Sequence, residues 1–254
     1  MSEALSTHGL TRTFGDFTAV DAIDLSVPRG SFYGFLGPNG AGKSTTIKCL
    51  TGLLRPTSGK IRILEKDPAE QPLDVKRQIG VVPEDLALFD RLSAAETLAF
   101  VGQVHGIDKP TLEQRSTELL ELMSLSDRTD ALVTDFSHGM KKKLSLAIAL
   151  LGAPKLLFLD EPFEGIDVVA SRQIRELLRS YVARGGTIFL TSHILEIVER
   201  LCDHIGIIHD GKLVAQDSVE SLRHGNEHGA SLEEIFLNVV GASSETSAGL
   251  DWLG

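Results

Sequence analysis

Residues 37–44 read Gly37-Pro38-Asn39-Gly40-Ala41-Gly42-Lys43-Ser44, with Thr45 next. In this spacing the glycines let successive backbone N–H groups turn inward and let the chain approach a bound anion closely. Lys43 supplies a point charge for the outer phosphates of a nucleotide, and Ser44 a hydroxyl for Mg2+. The helix that must start at this point adds the positive end of its dipole. A second feature lies further along, where the apolar run Leu156-Leu157-Phe158-Leu159 ends in Asp160-Glu161. Alone, two acids after an apolar strand are an ordinary acidic turn. With a phosphate loop in the same chain, Asp160 is placed as a metal ligand and Glu161 as the base that polarises a water against the terminal phosphate.

The surrounding elements fit that chemistry. Thr18 to Val27 alternates apolar and polar residues, Pro28-Arg29-Gly30 makes a turn, and Ser31 to Leu36 is a short apolar strand leading into the loop. A helix is expected from Lys43 to Leu54, broken by Arg55-Pro56-Thr57-Ser58-Gly59, with a strand resuming from Lys60 to Leu64. Between about Leu86 and Leu151 no strand pattern occurs. Helical spacing at Ala94 to Val104, Leu112 to Met123 and Gly139 to Leu151 predicts a helical subdomain over 86–151. Alternation then returns, with Lys155 to Asp160 a buried strand, Val168 to Tyr181 a helix, Gly186 to Thr191 a strand and Ile194 to Cys202 a helix. That order predicts a parallel sheet with helices on both faces. Ile174, Leu177, Leu178 and Tyr181 share one helix face and read as core. Residues 241–254, rich in Gly, Ser and Ala, read as a flexible tail, leaving 1–240 as one nucleotide-binding domain.

Composition narrows the partners. With 25 Lys+Arg against 35 Asp+Glu the net charge is −10, which opposes broad electrostatic attraction to nucleic acid, so no nucleic-acid partner is expected. Cys49 and Cys202 have neither metal-type nor redox-type spacing, which fits a reducing compartment. Met1 to Leu10 shows no basic region followed by an apolar stretch, so no secretory signal is expected. The longest nearly apolar run, Leu144 to Ala153, is about half of the roughly 20 residues a membrane-spanning helix needs. A protein acting at the cytoplasmic face of the cell membrane would borrow its span from another chain.

Phe136-Ser137-His138-Gly139-Met140 heads a predicted helix just before the acidic strand. Together with the loop and the acids it resembles the signature of ATP-binding cassette proteins, and further short matches fall in that family's order from about Leu5 to Leu222. Phe14 resembles the aromatic that stacks on adenine, Gly165-Ile166-Asp167 the dimer loop, and His193 the switch histidine beside the terminal phosphate. The resemblance implies a three-layer α/β fold of P-loop type, with a mostly parallel sheet, an N-terminal antiparallel β portion and the inserted helical subdomain. It implies ATP and Mg2+ as cofactors, with Lys43, Glu161 and His193 in the catalytic set. It also implies a head-to-tail pair of ATP-binding subunits, either two copies of this chain or this chain and a sibling. In that pair, ATP held by Phe14 and Gly37 to Thr45 of one subunit meets Ser137, His138, Gly139 and Met140 of the other.

Four positions depart from the family pattern. His138 stands where glycine is usual and Met140 where glutamine is usual, which removes one polar contact but leaves Ser137 and Gly139. Glu84, in Val82-Pro83-Glu84, stands where glutamine is usual, and its carboxylate still offers Mg2+ an oxygen. Phe163 follows Pro162 where threonine is usual. Lys141-Lys142-Lys143 reads as a solvated face.

These variants, with a late helix at Ala230 to Leu237, are similar to the branch serving exporters with separate membrane chains. The expected function is thus ATP-driven dimer closure coupled to export through a multi-span permease. The alternative is a soluble cassette ATPase for iron–sulfur assembly or for nucleic-acid or ribosome work. Such proteins show paired cassettes, a coiled-coil insertion or a basic arm, none of which the sequence displays. A GTPase or small-molecule kinase with the same loop is opposed by the lack of an Asn-Lys-x-Asp guanine motif.

Overall fold

The computed structural model describes residues 2–224 and 232–240. The expected tail at 241–254, and Ala230 and Ser231 of the expected late helix, lie outside the described residues.

The chain opens with β1 (Glu3–Phe14), β2 (Phe17–Ile23) and β3 (Ser26–Pro28), followed by β4 (Phe32–Leu36). After the phosphate loop come α1 (Lys43–Leu50), β5 (Ser58–Ile63), α2 (Pro72–Lys76) and β6 (Ile79–Val82). A helical stretch follows, with α3 (Ala94–Val104), α4 (Lys109–Leu122) and α5 (His138–Leu151). The rest is β7 (Leu156–Asp160), α6 (Val168–Ala183), β8 (Thr187–Ser192), α7 (Leu195–Leu201), β9 (His204–His209), β10 (Lys212–Ser218), α8 (Val219–His224) and α9 (Leu232–Val240).

Two sheets result. β1 pairs antiparallel with β2, β3 and β5, forming the N-terminal antiparallel portion. The second sheet has the order β10-β9-β4-β8-β7-β6, with only the edge strand β10 antiparallel. Every residue of β4, β7 and β8 is buried, as strands covered on both faces must be. Because side chains alternate, Tyr33 and Phe35 of β4 join Phe158 and Phe189 in a core shared with β1, β2 and α1, where the Tyr33 and Phe189 rings stack at 5.5 Å. Phe32 and Leu36 point the other way, into a core with Leu98, Leu144, Leu146, Ile174 and Leu178. Helices α3 to α5 lie between β6 and β7 in sequence and pack against this second face. The α/β architecture read from the sequence is therefore the one observed.

Helix α1 is shorter than expected. It stops at Leu50 because Thr51 Oγ1 turns back to Ile47 O at 2.8 Å and Gly52 enters the left-handed region at φ +75°. The hairpin of β9 and β10 is not foreseen above. Its turn is Asp210-Gly211, both at positive φ (46° and 76°), as the tight turn matching strand twist requires. The start of α3 is fixed by a capping box, with Ser93 Oγ accepting from Glu96 N at 3.1 Å and the Glu96 carboxylate accepting from Ser93 N at 2.8 Å. Among the described residues, no helix is long and apolar enough to cross a membrane.

Candidate functional site

β4, β7 and β8 are neighbours in the parallel sheet, and each ends at the same edge in a residue or loop with chemical potential. Open parallel sheets place ligands at this carboxyl edge, where the order of strands reverses direction. β4 releases the loop 37–42, β7 releases Asp160 and Glu161, and β8 releases His193. The sheet register sets Asp160 directly beside Thr191.

The loop is tightly enclosed by its neighbours. A Cβ at Gly37 would come to 2.4 Å from Ile208 O, and one at Gly42, which sits at φ +107°, to 2.4 Å from Ala19 O. Only glycine fits either position, so the backbone can curl into an anion cradle with α1 starting at Lys43. Lys43 is buried, and its Nζ donates to Gly37 O at 2.9 Å and Pro38 O at 3.2 Å. A hollow of about 320 Å³ opens here, lined by Phe17, Ala19, Asn39, Gly40, Gly42, Lys43, Ser44, Thr45 and Glu161. A larger hollow of about 700 Å³ lies after α1, around Leu54, Arg55, Pro56 and Asp67, but gathers no acid–base set.

Phe14 is not among the residues lining the hollow by the loop. It pairs across the hairpin with Phe17, and the Arg12 guanidinium lies over its ring at 4.3 Å. Phe17, 65% exposed, lines the hollow itself and is not among the residues expected from the sequence. The signal that could have found it is a second aromatic three residues on from Phe14, across a two-residue turn.

Three oxygen-bearing side chains meet beside the loop. Ser44 Oγ donates to Glu84 Oε2 at 3.0 Å, and Asp160 lies beside Ser44. Two carboxylates and a hydroxyl form a donor set that suits a hard, oxygen-seeking cation such as Mg2+. Burial pushes the Asp160 carboxyl above its ordinary range, partly countered by the hydrogen bond from Thr191, at 2.5 Å, and by the Ser44 hydroxyl beside it. Its charged form is therefore disfavoured by the fold. A raised folded value means that stability is lost as pH rises through the interval between the unfolded and the folded value. In metal-free buffer at pH 7, Asp160→Asn is accordingly expected to melt higher than the wild type. The advantage should vanish below the carboxyl range, and a thermal melt at both pH values checks it.

Glu161 is the other unusual group. It is a non-glycine residue at φ 45°, it is buried, and its N–H donates to Thr191 Oγ1 at 3.1 Å. His193 Nδ1 stands 3.0 Å and Lys43 Nζ 3.5 Å from Glu161 Oε1. Neither approach has hydrogen-bond alignment, so among the described residues this buried oxygen is left without a hydrogen-bond partner. A buried carboxylate oxygen in that condition is costly unless something else binds it. The residue itself lines the hollow beside the phosphate loop.

Thr191 also escaped the sequence reading, although it bridges Asp160 and Glu161. Its place two residues before His193 on the adjoining parallel strand is the signal that was available. Ser137 caps α5, its Oγ accepting from Met140 N at 3.3 Å, so His138, Gly139 and Met140 form the first turn. The His138 ring lies against Gly165, where an added Cβ would come to 2.8 Å from it. Asp167 caps α6 by accepting from Ala170 N at 2.9 Å, and that bond holds its carboxyl below the usual range.

The three lysines after Met140 do not form a solvated face. Lys141 pairs with Asp90 at 3.4 Å and Lys143 Nζ donates to Gln173 at 3.2 Å, but Lys142 is buried. The helix is packed between α3, α4 and the sheet, so the turn facing inward has no water to offer. Burial pushes the Lys142 ammonium below its ordinary value, against the pull of Glu164 and Asp160.

The comparisons with known proteins agree with this geometry. The family described as "ABC transporter" matches residues 20–164, a segment containing the loop, Glu84, Ser137 and the two acids. The chain is 41% identical over 227 residues to the bacitracin transport ATP-binding protein BcrA of Bacillus licheniformis, covering 89% of this chain and 73% of that protein. It is 36% identical over 236 residues to the lantibiotic transport ATP-binding protein SrtF of Streptococcus pyogenes, covering 93% and 97%. A solved ATP-binding subunit of an ABC transporter superposes with a TM-score of 0.87 at 33% identity, covering 93% of this chain and 99% of that one. With the phosphate loop and the acidic strand end inside the matched segment, and the whole fold shared with a solved subunit, the chain belongs to the ABC transporter family.

Proposed function

We propose that this chain binds and hydrolyses ATP and so drives an exporter whose membrane-spanning permease is a separate protein. The observation that supports it most is the convergence of loop 37–45, Asp160, Glu161 and His193 on one sheet edge, with Glu161 lining the hollow beside the loop. In this reading Lys43, Ser44, Thr45 and the N–H groups of Gly37 to Gly42 hold the phosphates, and the adenine rests on the aromatic hairpin end of Phe14 and Phe17. Ser44, Asp160 and Glu84 would hold Mg2+, which when bound neutralises charge on the outer phosphates. Glu161 accepts a proton from water as that water's oxygen bonds to the terminal phosphorus. The bond from phosphorus to the bridging oxygen breaks, releasing ADP and phosphate. Lys43 and His193 face the charge that develops on the transferred group.

Two such subunits would close head to tail, with Ser137 to Met140 of one against the nucleotide of the other and Asp167 at the seam. ATP closes the pair and hydrolysis reopens it, which turns chemistry into movement. Two of the relatives are named as ATP-binding proteins of bacitracin transport and of lantibiotic transport, which supports a transport role at a membrane. The test is affinity purification of the chain from its native membranes, using Glu161→Gln with ATP to hold the closed pair. A co-purifying multi-span protein at stoichiometric level is the expected result. Recovery of soluble partners alone would sink the transport reading.

A further inference from the structure

Lys142 has no part in the reaction as written above, yet its environment is unusual. It lies on the second turn of α5 with 2% of its surface exposed. Val82, Leu146, Leu159, Pro162, Ile174 and Leu178 surround the small void beside it. An ammonium in apolar surroundings is costly unless it is paired and hydrogen-bonded. Its hydrogen bond goes to a main-chain atom of the site: Nζ donates to Glu161 O at 2.8 Å.

The backbone it holds is a strained one. At φ 45° Glu161 occupies the left-handed region, which is strained for a non-glycine residue and persists only where neighbours fix it from several sides. Those neighbours are identifiable. Thr191 on β8 takes the N–H of Glu161, and Lys142 on α5 binds its carbonyl, to which Glu164 N also donates at 3.3 Å. The peptides on either side of Glu161 are thus pinned from two different elements. The direction in which the side chain leaves the backbone, toward Lys43 and His193, follows from that pinning.

We infer that Lys142 is a positioning residue for Glu161, clamping the peptide that follows it so that the carboxylate is held where it can meet the attacking water. The inference rests on the assignment of Glu161 as base under Proposed function. Nothing about it requires Lys142 to touch the nucleotide, and its removal should be felt in turnover rather than in binding.

Lys142→Met keeps most of the aliphatic stem and removes the donor and the charge. Turnover of the full chain is measured as phosphate release per nucleotide-binding site titrated in the same sample, so that unfolded chain does not enter the rate. The expected result is a fall of about 10–100-fold in kcat, because misplacing a reacting group by about 1 Å can cost 10²-fold, with ATP affinity within about twofold of wild type. Lys142→Arg, which keeps a cationic donor, should recover most of the loss. In the Glu161→Gln background, Lys142→Met should lower the residual rate by less than about twofold, since there is no base left to position. A wild-type kcat for Lys142→Met overturns the inference, and so does an equal fold-loss in both backgrounds. Normal turnover by Glu161→Gln alone would remove the base assignment and the positioning role together. Which single variant keeps the wild-type rate tells the two failures apart.

Discussion

Glu161→Gln is expected to lower ATP turnover by roughly 10²–10⁴-fold, the range that loss of a general base removes, while leaving ATP affinity within a few-fold of wild type. The substitution is nearly isosteric, and the bonds that hold the backbone of residue 161 in its left-handed conformation are to its N–H and C=O. Neither depends on the carboxylate. What changes is Oε1, the buried oxygen that His193 and Lys43 approach without bonding. A glutamine there can align a water but takes no proton from it. With ATP bound and not consumed, the closed pair should accumulate and elute as a dimer in size-exclusion chromatography with ATP, and revert to monomer with ADP. Single-turnover phosphate release and nucleotide titration measure the two halves of this expectation. Turnover at the normal rate would take the base role from Glu161.

Lys43→Ala should act on binding. Lys43 is buried, bonded to the loop carbonyls of Gly37 and Pro38, and 3.5 Å from the Glu161 carboxylate. Those carbonyls are the geometry that a phosphate must displace, so the lysine is held at the cradle before any ligand arrives. A charge-assisted hydrogen bond contributes about 1.5–3 kcal/mol, and each 1.4 kcal/mol is tenfold in affinity. Removing the ammonium should therefore weaken ATP by about 10–100-fold, read as the dissociation constant from a fluorescent nucleotide titration. Stability should fall as well, because Glu161 is left buried with its neighbouring cation gone. Unchanged affinity with lost turnover would show instead that Lys43 acts only once charge has moved in the reaction.

The parts of this molecule that are local in the chain are readable without coordinates. The glycine spacing of residues 37–42 is a demand on backbone conformation, and such a demand is written in the residue type itself. Helix α3 is expected and found over the same residues because its apolar face repeats at helical spacing. The buried strands before the loop and before Asp160 are apolar throughout, as only strands covered on both faces need be.

The rest depends on which strands and helices become neighbours. β1 is hard to see because its register shifts as it passes between partners, which breaks the period-2 pattern by which a strand is recognised. Thr191 gains its meaning from the register that puts it beside Asp160. A run of three lysines reads as solvated from composition, and only the placement of α5 against the sheet edge turns Lys142 inward onto Glu161. The left-handed backbone of Glu161 cannot be foreseen either, since its sequence neighbours do not ask for it. Local chemistry is carried by residue type and spacing along the chain, whereas the aim of each group is set by contacts between residues far apart in that chain, and those exist only once the sheet has formed.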